Sequence, residues 1–178
     1  MKIVIIRHGE VNYRWNRWCT SEEFDKECRE YDIAPIKDTT LWIPQIEYRS
    51  IYISALSRSR DTARIIFNEE DLAETDLINE VPLKSCFDTG RKMPLWFWNL
   101  SGRLQWAVNN SRQPEGRIQT KKRAMEFIEI LCKEKTNCAV ITHGFYMHVL
   151  LREMNKAGFR VSKARTAYKN GEYVVAER

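Results

Sequence analysis

The chain has 178 residues, 43% of them hydrophobic and 30% charged, which fits one domain able to bury roughly 70% of its unfolded surface and excludes intrinsic disorder. Its 29 basic and 24 acidic residues leave a net charge of +5, compatible with small anions, nucleic acid or a membrane surface. The first apolar run is too short for a signal peptide, and no later one approaches the roughly 20 residues of a membrane span. With five cysteines and no CxxC pair, reduced thiols in a cytoplasmic protein are expected.

In chain order, Lys2-Ile3-Val4-Ile5-Ile6 is a continuous run of β-favouring residues, read as a strand buried on both faces, and it breaks at Arg7-His8-Gly9. Thr20 and Glu23 have capping-box spacing and open a short helix to about Glu30. Ser50 to Ser54 is a second strand, leading into a helix over Ser57 to Phe67. Asp76 to Ile78 is expected as a third short strand, stopped by Glu80-Val81-Pro82.

From Phe87 to Arg117 the periodicity is poor and Trp96, Phe97, Trp98 and Trp106 crowd together, which reads as an insertion over the core. Between residues 84 and 117 six basic residues face only Asp88 and Glu115, so nearly all the excess charge sits there. A helix over 118 to 135, a buried strand Cys138 to Thr142 and a helix from His143-Gly144 to about Asn155 follow. Tyr173 to Val175 is expected as an edge strand. No repeat or linker divides the chain, and the alternation predicts a single α/β unit, a three-layer α/β/α sandwich around a mainly parallel sheet.

Ligands of such sheets gather at the carboxyl ends of the strands. Three strands end in reactive groups, at Arg7-His8-Gly9, at Ser54 to Arg58 and at Thr142-His143-Gly144. If these ends are parallel neighbours, two arginines and two histidines share one crevice, a cluster that repels itself unless an anion lies between them. A tetrahedral phosphate suits it, because guanidinium forks match its oxygens. Helix N-termini after Gly9, Arg58 and Gly144 are expected to add backbone N–H donors. His143 and His148 are five residues apart, which argues against a metal-binding helix face; no metal or other cofactor is expected.

Arg7-His8-Gly9, the run Ser54 to Ala63, Glu80 and Thr142-His143-Gly144 resemble, in order, the landmarks of the histidine phosphatase superfamily, which includes the cofactor-dependent phosphoglycerate mutases. The resemblance spans residues 2 to about 150. It implies a histidine acid phosphatase-like phosphoric monoester hydrolase in which His8 becomes a phosphohistidine, Arg7, Arg58, His143 and Gly144 hold the phosphoryl oxygens, and Glu80 supplies and recovers the proton. Asn12, Asn16 and Arg117 are further candidates for substrate contacts, with Arg117 and the basic insertion favouring a second anionic group.

The resemblance to mutases stops at Val11, which breaks their RHGES-type start, and at Gly116-Arg117-Ile118, where they have Gly-Glu-Ser. A phosphatase acting on a small phosphorylated metabolite is therefore expected, with a phosphoglycerate mutase-type phosphotransferase or a noncatalytic phospho-ligand-binding module as the alternatives. A nucleic-acid binder would explain the charge but not the two histidines after strands, so neither nucleic acid nor membrane is expected as a partner. The sequence is silent on oligomeric state.

Overall fold

The structure, a computed structural model, describes residues 1–68, 71–162 and 167–178. Strand β1 (Lys2–Arg7) is followed by β2 (Trp18–Cys19), α1 (Ser21–Ile33), β3 (Ser50–Ile53), α2 (Ser57–Phe67) and β4 (Leu72–Glu74). A 3-10 turn (Asp76–Ile78), β5 (Met93–Pro94), α3 (Leu95–Ala107), α4 (Arg117–Glu134), β6 (Cys138–Thr142), α5 (Gly144–Lys156), β7 (Arg160–Val161) and β8 (Tyr173–Glu177) complete the described chain. The main sheet runs β4-β3-β6-β1-β8-β7, and its first four strands are parallel.

Alternation along the buried strands sends side chains to both faces. Ile3, Ile5 and Val140 pack against Phe127 and Leu131 of α4 and Leu150 and Met154 of α5. Val4, Ile6, Ile51, Ile53 and Ile141 pack against Ala63 and Phe67 of α2. The result is the expected α/β/α sandwich with a mostly parallel sheet. The Thr20 capping box opens α1, with Glu23 N–H donating to Thr20 Oγ1 and Thr20 N–H to Glu23 Oε2.

Three expectations are corrected. Asp76 to Ile78 is a 3-10 turn and not a strand, because the β3 ladder ends at Glu74 and the Thr75 hydroxyl caps Leu77 N–H. Ile78 is buried from that turn as core, not as part of a ladder. The last strand is not an edge: β8 lies antiparallel between β1 and the two-residue β7, which is too short to leave a sequence signal. No helix follows Gly9; Val11 makes a single bridge to Ile36, and the next helix starts at Ser21.

The insertion contains a helix that its periodicity hid. Buried Trp98 of α3 stacks on Phe24 of α1, with ring centroids 5.9 Å apart, and its indole N–H donates to the Cys19 carbonyl at 3.0 Å. Because β2 and β5 also pair, the aromatic segment is fastened to α1 beside the carboxyl ends of the sheet.

Candidate active site

Parallel pairing sets Arg7 opposite Thr142, and β3 flanks β6 on its other side, so the ends carrying Arg7-His8, Ser54 and Thr142-His143 are adjacent. The His8 and His143 ring centroids are 5.0 Å apart. His8 is 2% exposed, Arg58 1% and His143 0%.

The loop after β1 is pinned from several directions. His8 N–H donates to the Thr142 carbonyl at 2.9 Å, Gly9 N–H donates to Thr62 Oγ1 at 2.9 Å, and Asn170 Nδ2 donates to both the His8 and Gly9 carbonyls at 3.1 Å. His8 Nδ1 lies 2.7 Å from the Gly9 carbonyl oxygen. A carbonyl only accepts, so Nδ1 carries the proton and Nε2 keeps its lone pair. Burial, then the positive charge of Arg58, and finally that of Arg7 push the His8 imidazole down to about 3, against a smaller opposing effect of the Gly9 contact.

His143 is locked differently. Its Nδ1 accepts from Arg58 Nε at 3.1 Å, which leaves the proton on Nε2, 2.6 Å from Ser54 Oγ; Ser54 in turn donates to Ser59 Oγ at 2.8 Å. Burial, followed by Arg58, keeps His143 well below the ordinary histidine range. Both of its nitrogens are thus bonded to protein, and in this arrangement it orients Arg58. Arg58 Nη1 also donates to Asp32 Oδ1 at 3.1 Å, and burial raises the Asp32 carboxyl above its usual range against the pull of Arg58.

Arg7 donates through Nη1 to the Tyr168 carbonyl, and its buried Nε has no hydrogen-bond partner among the described residues. A Cβ on Gly144 would lie 2.9 Å from that nitrogen and 3.0 Å from Cζ, so only glycine leaves the guanidinium room. Gly144→Ala is therefore expected to displace Arg7 and lower kcat/KM about tenfold or more with little change in unfolding temperature, measured by steady-state kinetics beside a thermal melt. Glu80 sits at the start of α5, its Oε1 accepting from Tyr146 N–H and Val81 N–H, both at 2.9 Å, and its Oε2 from Phe145 N–H at 3.3 Å. The donors expected at that helix N-terminus are thus engaged by a carboxylate.

A cleft of about 910 Å³ reaches Arg58, Asp32 and Glu80 and is walled by Tyr31 and by Arg103 of α3. Arg117 is not there: it starts α4 and lines a separate cavity of about 610 Å³ with Trp106, Phe145 and His148. Asn12 is exposed, its backbone N–H donating to the Pro35 carbonyl, and the Asn16 amide donates to Glu27. The structure brings neither asparagine to the cleft lining. Nor does the insertion form a uniformly positive lid, since Lys92 pairs with Glu23 and Arg112 with Asp88. Asp32, Thr62 and Asn170 are contributors that sequence reasoning missed, while Ser54, already expected at a strand end, bonds His143. Among the described residues no His, Cys, Asp or Glu cluster has the makings of a metal site.

Two buried neutral histidines make stability depend on pH. Each takes up a proton near 6.5 when unfolded, but His8 does so only near 3 when folded and His143 also far below its usual value. Between those limits the unfolded state binds more protons, so stability is full above about 6.5 and falls on acidification, by about 1.4 kcal/mol per pH unit for each histidine. Urea melts between pH 7 and pH 4 are expected to show this decline, and a flat profile would contradict it.

A buried neutral imidazole whose Nε2 keeps its lone pair, with the charges of Arg58 and Arg7 nearby at the carboxyl end of a parallel sheet, makes a site suited to an anion in an α/β protein. A model of the histidine phosphatase superfamily (branch 1) matches residues 3–177, and the chain belongs to that superfamily. Solved structures share its fold. An Escherichia coli protein provisionally assigned as an alpha-ribazole-5'-P phosphatase superposes with a TM-score of 0.64 at 16% identity, over 98% of this chain and 89% of that one. The alpha-ribazole phosphatase of Shigella flexneri does so with 0.58 at 15%, over 98% and 89%. A mycobacterial glucosyl-3-phosphoglycerate phosphatase gives 0.57 at 14%, over 98% and 88%. The chain has no significant match among the curated proteins.

Proposed function

We propose that the protein is a metal-independent phosphomonoesterase acting through a phosphohistidine on a small phosphorylated metabolite. The observation that carries this reading is the His8 Nδ1 contact with the Gly9 carbonyl, which aims an unprotonated Nε2 away from the backbone in a neutral ring. Nε2 attacks phosphorus in line, the N–P bond forming as the ester P–O bond breaks. Arg58 and Arg7 neutralise charge on the equatorial oxygens. Gly144 gives Arg7 its place, and His143 orients Arg58.

The departing oxygen takes a proton from Glu80. Water then attacks the phosphohistidine, returns a proton to Glu80, and phosphate leaves with His8 neutral again. Support for Glu80 is positional, since it faces the cleft that Arg58 lines; Asp32, whose carboxyl burial raises, is the competing donor. Glu80→Gln is expected to cut kcat on alkyl phosphates about 100-fold while sparing aryl phosphates, whose leaving groups need no proton. If Asp32→Asn shows that leaving-group pattern and Glu80→Gln does not, the assignment moves to Asp32.

Phosphate release from a panel of phosphomonoesters in EDTA tests the proposed activity. Turnover is expected to survive chelation, and the best substrate names the metabolite class. Loss of turnover on adding EDTA, or no turnover with any ester, would contradict it.

A further inference from the structure

Leu95, Asn99 and Arg103 of α3 follow one another at four-residue spacing, so they share a face of the helix, and that face lines the cleft. The helix sits close to the segment that leaves Glu80. A Cβ on Gly102 would lie 2.7 Å from Leu83 Cδ1 and 3.1 Å from the Lys84 carbonyl oxygen, so the absence of a side chain there sets the approach. Arg103, the next residue, reaches the Val81 carbonyl and donates to it through Nη1 at 3.1 Å.

The same guanidinium lies over the Phe145 ring, with Cζ 3.7 Å from the ring centroid. Trp106, three residues further along α3, meets that ring edge-on with centroids 4.8 Å apart. Its indole N–H donates to Thr120 Oγ1 of α4 at 2.9 Å, which fixes the tryptophan in turn. Two side chains of α3 therefore grip Phe145, in the first turn of α5.

Val81 and Phe145 are also the residues that hold Glu80. Val81 N–H donates to Glu80 Oε1 and Phe145 N–H to Oε2, and Tyr146, next along α5, supplies the third donor. Arg103 thus bridges the two backbone segments on which this carboxylate is mounted. Burial lowers the Arg103 guanidinium below its ordinary value, and among the charges that oppose this Glu80 acts most strongly.

We infer that Arg103 is a positioning residue for Glu80: it ties Val81 to Phe145, and so fixes the carboxylate that both of them hold. The inference rests on the proposed proton-transfer role of Glu80. It gives the aromatic insertion a task in the reaction, because α3 braces the proton donor from outside the sheet that carries the nucleophile. A reacting group misplaced by about 1 Å can lose about 100-fold in rate, so a brace of this kind shows in turnover before it shows in binding.

Steady-state kinetics on alkyl and aryl phosphates for Arg103→Ala, Glu80→Gln and the double variant form the test. Arg103→Ala is expected to lower kcat on alkyl phosphates about tenfold, with a much smaller loss on aryl phosphates and KM within about twofold of the wild type. In the Glu80→Gln background the same change should cost no more than about twofold, because the group it positions is already gone. Arg103→Lys keeps a charge near Glu80 but not the planar stack on Phe145, and it should share the loss on alkyl phosphates. A further loss of about tenfold in the double variant, a raised KM at unchanged kcat, or full recovery by lysine would overturn the inference. If Glu80→Gln shows the leaving-group pattern and Arg103→Ala does not, the inference falls while the role of Glu80 stands. If Glu80→Gln itself lacks the pattern, the role of Glu80 falls and takes the inference with it.

Discussion

His8→Ala is expected to lower kcat/KM by at least about four orders of magnitude, because it removes the only route to the covalent intermediate and leaves just the arginines to assist water. The loss should not come from unfolding. The Gly9 carbonyl that His8 faces also accepts from Asn170 Nδ2, so no buried acceptor is orphaned. The variant also loses one of the two histidines that weaken the fold in acid, so its urea melts should decline less steeply below pH 6.5 than those of the wild type. Parallel kinetics and melts separate a lost nucleophile from a lost fold. A variant that folds and still turns over at more than about 1% of the wild-type rate would contradict the nucleophile assignment.

Arg58→Ala is expected to have the next largest effect, about 100- to 1000-fold in kcat/KM, the range for removing one preorganised charge from a transition state. Arg58 is 1% exposed and bonds both His143 Nδ1 and Asp32. Its guanidinium is also the largest charge effect holding His8 in the neutral form. Truncation should therefore raise the His8 pKa, and the acid limb of kcat/KM should move up from the region of 3 toward the ordinary histidine value. Arg58→Lys keeps the charge but not the Nε contact to His143. It should recover the position of the acid limb more fully than the rate. If neither variant moves the pH profile, Arg58 does not act on His8.

The parts of this site that could be read in the sequence share one physical property. Four consecutive apolar residues ending in Arg7-His8-Gly9, and four more ending in Thr142-His143-Gly144, identify strands whose ends must project polar groups at the sheet's edge. Pairing of β1 with β6 and of β6 with β3 then follows from parallel topology, and it brings the histidines together. Thr62, Asp32 and Asn170 carry no such signal. They come from an α2 interior, the end of α1 and a loop before β8, and only the tertiary fold points them at His8 or Arg58.

Charge counting misled where direction mattered. The basic excess of residues 84 to 117 is real, but Arg117 faces the α5 side of α4 and the other cations diverge, so the segment total said little about the cleft. Helix α3 was hidden for a related reason. A helix that is apolar toward the core and apolar again toward solvent has no clean 3.6-residue period to detect.

The most direct test of the account is a rapid-quench experiment with a ³²P-labelled substrate. The protein should trap label in an acid-labile, alkali-stable phosphoramidate at His8, forming at least as fast as kcat and absent from His8→Ala. Full turnover with no labelled protein at any time, or label retained in His8→Ala, would contradict the phosphohistidine route.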